Sequence, residues 1–243
     1  MPLTDALTRH LDHDDLIPAA ALVAGEWIEK ADSGDTFEVT NPATGEVLAT
    51  LPNCGVAEAR AAIAAAKDAQ GEWAAKTGKE RAAVLKQLHA LMMENIDDLA
   101  AIMTAEQGKP VSEAKGEIAY GAGYVEWFGE EAKRIYGDTI PGHQPDKRIV
   151  VIKQPVGVVA TITPWNFPNA MLARKMAPAL AVARLILVQR AAEANAGGLK
   201  CVIEIAALPA PDVFDGLALD EALVALEKLV TRAFVLQGLP ARD

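Results

Sequence analysis

Between Val156 and Ala181 three patterns follow one another without interruption. They are a β-branched apolar run (Val156 to Ile162), a loop holding two prolines (Thr163-Pro164-Trp165-Asn166-Phe167-Pro168), and a helical pattern beginning near Asn169. A buried strand that feeds a helix through a stiff loop is a unit of α/β architecture. In open α/β sheets, ligands bind beyond the carboxyl ends of the strands, where this loop would lie. Pro164 and Pro168 restrict the backbone, and Trp165 and Phe167 supply apolar walls around a single amide side chain, Asn166. An asparagine held this way can donate an N–H to a developing oxyanion, a contact that contributes roughly 3 kcal/mol in other enzymes. The alternative for Asn166 is a loop residue that satisfies neighbouring backbone groups.

The chain before this unit reads as strands and then helices. Ala21 to Ile28, Thr36 to Thr40 and Glu46 to Leu51 are short strand-like runs broken by Asn41-Pro42 and Thr44-Gly45, and a small antiparallel meander is the simplest arrangement of them. Helical spacing follows over Val56 to Ala69, from a capping box at Thr77 and Glu80 to about Glu94, from Asn95 to Gly108, and from Val111 to Tyr136 with Gly137 as the stop. Gly121-Ala122-Gly123 begins a GxGxxG-like string, but its third position is Glu126 and it lies within a helical pattern, so small residues for close helix packing explain it better than a dinucleotide fingerprint. Arg148 to Gln154 and Val156 to Ile162 form two strands separated by Pro155. The first fourteen residues suit a short amphipathic helix with His10 and His13 on one side; no third ligand accompanies them, and no metal site is expected.

Composition narrows the function classes. The 243 residues are 51% hydrophobic and 23% charged with a net charge of −10, so the surface repels phosphate backbones, and neither nucleic acid nor an anionic membrane is an expected partner. The longest nearly apolar run, Met176 to Val188, contains Arg184 and falls short of the roughly 20 residues that span a bilayer. The acidic N-terminus lacks a signal-peptide pattern, which makes the cytoplasm the expected location. Cys54 and Cys201 are far apart with no neighbouring His or CxxC, so neither a disulfide framework nor zinc is indicated.

Five ordered motifs carry a family resemblance. They are Gly25-Glu26-Trp27, Asn41-Pro42-Ala43-Thr44-Gly45-Glu46, Glu106-Gln107-Gly108-Lys109-Pro110, Gly137-Asp138-Thr139-Ile140-Pro141 and Pro164-Trp165-Asn166-Phe167-Pro168. With them, residues 16 to 181 closely resemble the aldehyde dehydrogenase superfamily and, within it, the succinate-semialdehyde dehydrogenases. The resemblance implies an α/β fold: an incomplete Rossmann-type cofactor domain over 1–137 and 156–198, with an N-terminal β meander and flanking helices, oligomerisation-arm strands over 138–155, and a catalytic-domain remnant or unrelated tail over 199–243. It implies NAD or NADP as cofactor, a small-molecule aldehyde as substrate, and a homo-oligomer. Asn166 matches the oxyanion-hole asparagine, Ile162, Thr163, Pro164 and Trp165 match positions lining the nicotinamide cofactor, and Arg174 matches an arginine that meets the substrate carboxylate in semialdehyde dehydrogenases. A guanidinium fork suits that planar anion. The other reading of Arg174 is a solvated helix charge.

Beyond Ala181 the resemblance weakens. Arg184 to Ala194 looks like the helix that precedes the family's acid/base glutamate, Glu204 matches that glutamate with Ala206-Ala207 replacing Gly-Gly, and in the same register Gly238 stands where the nucleophilic cysteine is expected. Aldehyde oxidation by this route needs a thiolate that adds to the carbonyl carbon. The expectation is a chain that belongs to the family but is catalytically inactive by itself, the alternative being a non-catalytic fragment that associates with full-length family members.

Overall fold

The computed structural model describes residues 3–13, 16 and 19–182, with the backbone of 186–191 and 201–202. Strand β1 (Ala21–Val23) pairs antiparallel with β2 (Glu26–Ile28), and β3 (Thr36–Thr40) with β4 (Val47–Pro52). These are two separate two-stranded sheets, which corrects the expected meander. The cause lies at Ala24 and Gly25, whose φ values of 54° and 84° make a two-residue reverse turn and fold the run from Ala21 to Ile28 back on itself. The N-terminal helix is also shorter than expected. Helix α1 (Asp5–Thr8) is a single turn fastened to β4, with Leu7 fully buried and the Thr4 hydroxyl donating to the Val47 carbonyl at 2.6 Å. His13 meets the buried Asp98 carboxylate through its backbone N–H and its ring, at 2.9 and 3.0 Å.

The helical layer follows its apolar spacing. In α2 (Val56–Ala75) the buried residues Ala62, Ala66, Ala69 and Trp73 recur at intervals of four, three and four, one face of a 3.6-residue period. Helix α3 (Gly78–Glu94) begins at the expected capping box: the Thr77 backbone N–H donates to Glu80 at 2.6 Å, and Glu80 returns its N–H to the Thr77 hydroxyl at 3.3 Å. Helix α4 (Ile96–Gln107) ends on Gly108 at φ 73°, the left-handed position where glycine costs least. Asn95 stands at the junction, but its side chain donates back to the Leu91 carbonyl at 3.0 Å and does not cap α4.

Helix α5 (Val111–Glu131) stops short of the expected Tyr136 and tightens into a 3-10 turn over Ala132–Arg134. The chain there passes so close to α3 that a Cβ on Gly78 would lie 2.5 Å from the Ala132 carbonyl oxygen. Helix α5 packs against α3, α4 and α6 (Pro168–Ala181). Of the two glycines in its GxG string, Gly121 is required by packing, since a Cβ would collide with Asn169 of α6; Gly123 faces open space. The last carbonyls of α6 are capped from the first helices: Trp73 Nε1 donates to Leu180 at 3.2 Å and Arg81 Nε to Ala181 at 3.0 Å.

Strands β5 (Asp138–Pro141) and β6 (Arg148–Val151) form an antiparallel hairpin, and every residue of the two strands is exposed. The expected continuation of β6 to Gln154 is absent, and β7 (Val159–Thr163) begins three residues later than its apolar run. The expected helix over Arg184–Ala194 is instead strand β8 (Ile186–Ala191), parallel to β7 from Val159↔Ile186 to Thr163↔Arg190. An apolar β-branched run after α6 completes a β-α-β unit and satisfies the open backbone groups of β7, which a second helix would leave unpaired. Cys201–Val202, expected on a strand, forms β9, antiparallel to β8. Glu204, Val213-Phe214-Asp215, Leu219–Leu223 and Gly238 lie outside the described residues.

Candidate active site

Strand β7 delivers the loop that carries the site. Thr161 and Thr163 alternate inward and are buried, whereas Ala160 and Ile162, the latter 48% exposed, face outward. After Thr163 the chain passes Pro164 and reaches Trp165, Asn166 and Phe167, all exposed, before Pro168 opens α6 at a position where its missing N–H costs nothing. The Asn166 carboxamide makes no hydrogen bond among the described residues. It is held by its backbone while its donor remains free.

That backbone is gripped from the α4–α5 junction. Gln107 Nε2 donates to the Trp165 carbonyl at 2.9 Å, and Lys109 Nζ donates to the Asn166 carbonyl at 3.4 Å while standing 4.5 Å above the Phe167 ring. Lys109 is also paired with Glu117, whose side chain is 1% exposed. The second oxygen of Glu117 accepts the backbone N–H groups of Asn169 and Ala170 at 3.0 and 3.3 Å, which places a carboxylate on the positive end of α6. Asn169 itself is fully buried with neither polar atom of its side chain hydrogen-bonded among the described residues. Lys175, about two turns into α6, donates back to the Ile162 carbonyl.

Arg174 is exposed on α6, and its guanidinium lies 6.0 Å above the Tyr124 ring of α5. Tyr124 and Tyr120 stand one turn apart, their hydroxyls 2.5 Å and their ring centroids 5.0 Å from each other. The hydrogen bond it shares with Tyr120 favours the neutral phenol and raises Tyr124 above its usual pKa. Beside them, Ala119, Gly123, Trp127 and Phe128 complete an open groove of about 490 Å³.

The structure therefore brings Ile162, Thr163, Pro164, Trp165 and Asn166 together at one strand end and sets Arg174 on the helix that follows. Glu204 is outside the described residues. Sequence reading missed Gln107, Lys109, Glu117, Tyr120 and Tyr124. Gln107 and Lys109 stood in a recognised motif without an assigned role, and Glu117 and the tyrosines gave no signal beyond helical spacing.

Comparison with known proteins bears on all of this. The model of the aldehyde dehydrogenase family matches residues 27–214. The chain is 59% identical over 182 residues to the glutarate-semialdehyde dehydrogenase of Pseudomonas putida KT2440, which covers 75% of this chain and 38% of that protein. It is 55% identical over 183 residues to the NADP(+) succinate-semialdehyde dehydrogenase of Escherichia coli K12, with the same two shares. A crystal structure of an E. coli NADP-dependent enzyme superposes with a TM-score of 0.74 at 47% identity, covering 95% of this chain and 42% of that one. The succinate-semialdehyde dehydrogenase of Burkholderia pseudomallei superposes at 0.73 with 46% identity, again covering 95% and 42%. The chain thus spans about two fifths of the length of these relatives. With more than three quarters of its residues matched by the family model and its α/β fold shared, this chain belongs to the aldehyde dehydrogenase family.

Proposed function

We propose that this chain carries the cofactor-side half of an aldehyde-oxidising site. Asn166 is the oxyanion donor, Ile162, Thr163, Pro164 and Trp165 form the wall for the nicotinamide of NAD or NADP, and Arg174 receives the carboxylate of a short semialdehyde such as succinate or glutarate semialdehyde. One observation carries the reading: an exposed, unengaged carboxamide at the carboxyl end of a parallel strand, on a loop whose backbone accepts two hydrogen bonds from the α4–α5 junction. The residues fit a flat ring, since Ile162 and Trp165 are apolar yet 48% and 39% exposed. When bound there, a nicotinamide supplies the hydride acceptor.

The remaining chemistry belongs to side chains. As a thiolate adds to the aldehyde carbon, negative charge grows on the carbonyl oxygen and the Asn166 N–H donates to it. Arg174 fixes the far end of the substrate, which favours a terminal carboxylate over an uncharged aldehyde. We infer that the 243 residues complete no turnover by themselves. Of their two cysteines, Cys54 lies between β4 and α2, and Cys201 is on β9. Glu204, in the position that resembles the family's acid/base glutamate, serves as the water-activating base.

A second reading is favoured by the β5–β6 hairpin: residues 138–155 act as an oligomerisation arm, and the chain associates with copies of itself or with full-length family members. In this reading 1–137 and 156–198 are the cofactor-binding portion and 199–243 a remnant or tail. Spectrophotometry with succinate or glutarate semialdehyde and each of NAD and NADP tests the catalytic statement. No reduction of either cofactor is expected, and turnover that disappears in Cys201→Ser would overturn it and make Cys201 the nucleophile.

A further inference from the structure

The geometry points to Lys109 and Glu117 as positioning residues for Asn166, a clamp that spans the α4–α5 junction and fixes the loop after β7. The inference rests on Asn166 being the oxyanion donor. An exposed loop with two aromatic side chains and a free amide has no intrinsic reason to hold one conformation, because each ordered residue costs backbone and side-chain entropy. Here the restraint comes from another part of the chain. Glu117 is buried to 1% exposure and its two oxygens are divided: one accepts the N–H groups of Asn169 and Ala170, the other pairs with Lys109. Lys109, 14% exposed, extends the restraint to the Asn166 carbonyl and the face of Phe167. Charge-assisted bonds are the strong ones, and a carboxylate at a helix N-terminus gains further from the helix dipole.

The arrangement closes on both sides of Asn166. The carbonyl of Asn166 is held from below by Lys109, and the residues three and four positions later are held by Glu117, so the intervening turn has both ends fixed to one ion pair. An aldehyde oxygen needs its donor within a few tenths of an ångström of the productive place, and side chains with locked surroundings provide that accuracy. Glu117 touches no substrate atom in this scheme. It acts through the loop backbone, and Gln107 adds a third anchor at the Trp165 carbonyl.

Nitrogen-15 NMR on the full 243-residue chain tests this without requiring turnover. In Glu117→Gln, amide exchange at Asn169 and Ala170 is expected to rise about tenfold, the loss expected when a charged acceptor becomes neutral. The Asn166 side-chain NH2 signals should shift and broaden in the same variant, while amides of β3 and β4 keep wild-type exchange. Glu117→Asp should recover part of the protection, and Lys109→Met should disturb Asn166 more than Ala170. A uniform rise in exchange across the chain, or none at all, would overturn the clamp. Titration with succinate semialdehyde separates this from the functional reading. If Asn166 NH2 signals respond in wild type and the response weakens at least about threefold in Glu117→Gln, both stand. An equal response in the two proteins overturns the clamp, and no response in wild type overturns the oxyanion reading and with it the catalytic meaning of the clamp.

Discussion

Glu58 shows how much one buried carboxylate organises. It is 7% exposed and accepts the backbone N–H of Asp32 at 2.6 Å and of Gly55 at 2.7 Å, which ties the loop after β2 to the start of α2. These donors, Asp32 first, hold its pKa below the ordinary carboxylate range against the opposing effect of burial. The folded chain therefore binds this proton less readily than the unfolded chain, whose Glu titrates near 4.3. The stabilisation is complete above about pH 4.3 and drains away as pH falls through the lower folded value. Urea denaturation should find Glu58→Gln less stable than wild type by about 1 to 3 kcal/mol at pH 7, the range for bonds to a charged acceptor, with the gap closing below pH 4. A gap of the same size at pH 7 and pH 3 would show that charge has no part in it. Asn169, by contrast, buries a carboxamide without a hydrogen-bond partner among the described residues, against the tendency of native cores. Its side chain fills the space that Gly121 leaves open.

Elements differ in how openly the sequence announced them. Helix α3 began at the capping box that Thr77 and Glu80 signalled, and the glycine after α4 took the left-handed conformation expected at a helix end. The β1–β2 hairpin was hidden because its turn uses an alanine at positive φ, a residue that carries no turn signature. Strand β8 was hidden by the family register, which suggested a helix, although the backbone of β7 required a neighbouring strand. The β5–β6 hairpin leaves Val150 68% exposed and Ile152, just past its end, 69% exposed, beside Ile140 and Ile149. Exposed apolar strands with open edges favour pairing with another chain. Val150→Lys combined with Ile152→Lys is expected to shift the light-scattering mass towards monomer while leaving the circular dichroism of the helices intact. An unchanged mass would remove the hairpin from the association surface.

At the scale of the molecule, one core joins the first two hairpins to the helices. Leu7 of α1, Val39 and Leu48 of the second hairpin, Trp73 of α2, Leu88 of α3, Ile102 of α4, Ile118 of α5 and Leu172 of α6 belong to a single buried cluster. The first two hairpins and the helices should therefore unfold together. Leu88→Ala, at a fully buried position, is expected to cost about 2 to 5 kcal/mol, and far-ultraviolet and tryptophan signals should shift by the same amount in denaturant. Separate midpoints for the two probes would divide the core into independent units. Among the described residues no helix is long and apolar enough to cross a membrane, in keeping with the shortness of the apolar run at Met176.

The sequence alone determined the local features: the helix periods from Val56 to Glu131, the strand–loop–helix unit around Asn166, and the five motifs that mark the family. These depend on residue type and near spacing, and the physics of caps, turns and amphipathic faces acts over a few residues. Tertiary structure decided what holds Asn166 in place. Glu117 lies 52 residues before Asn169, and only the packing of α5 against α6 brings a carboxylate to that helix N-terminus. It also decided that Ile186–Ala191 is a strand, because an apolar run of that length suits either conformation until the open edge of β7 selects one.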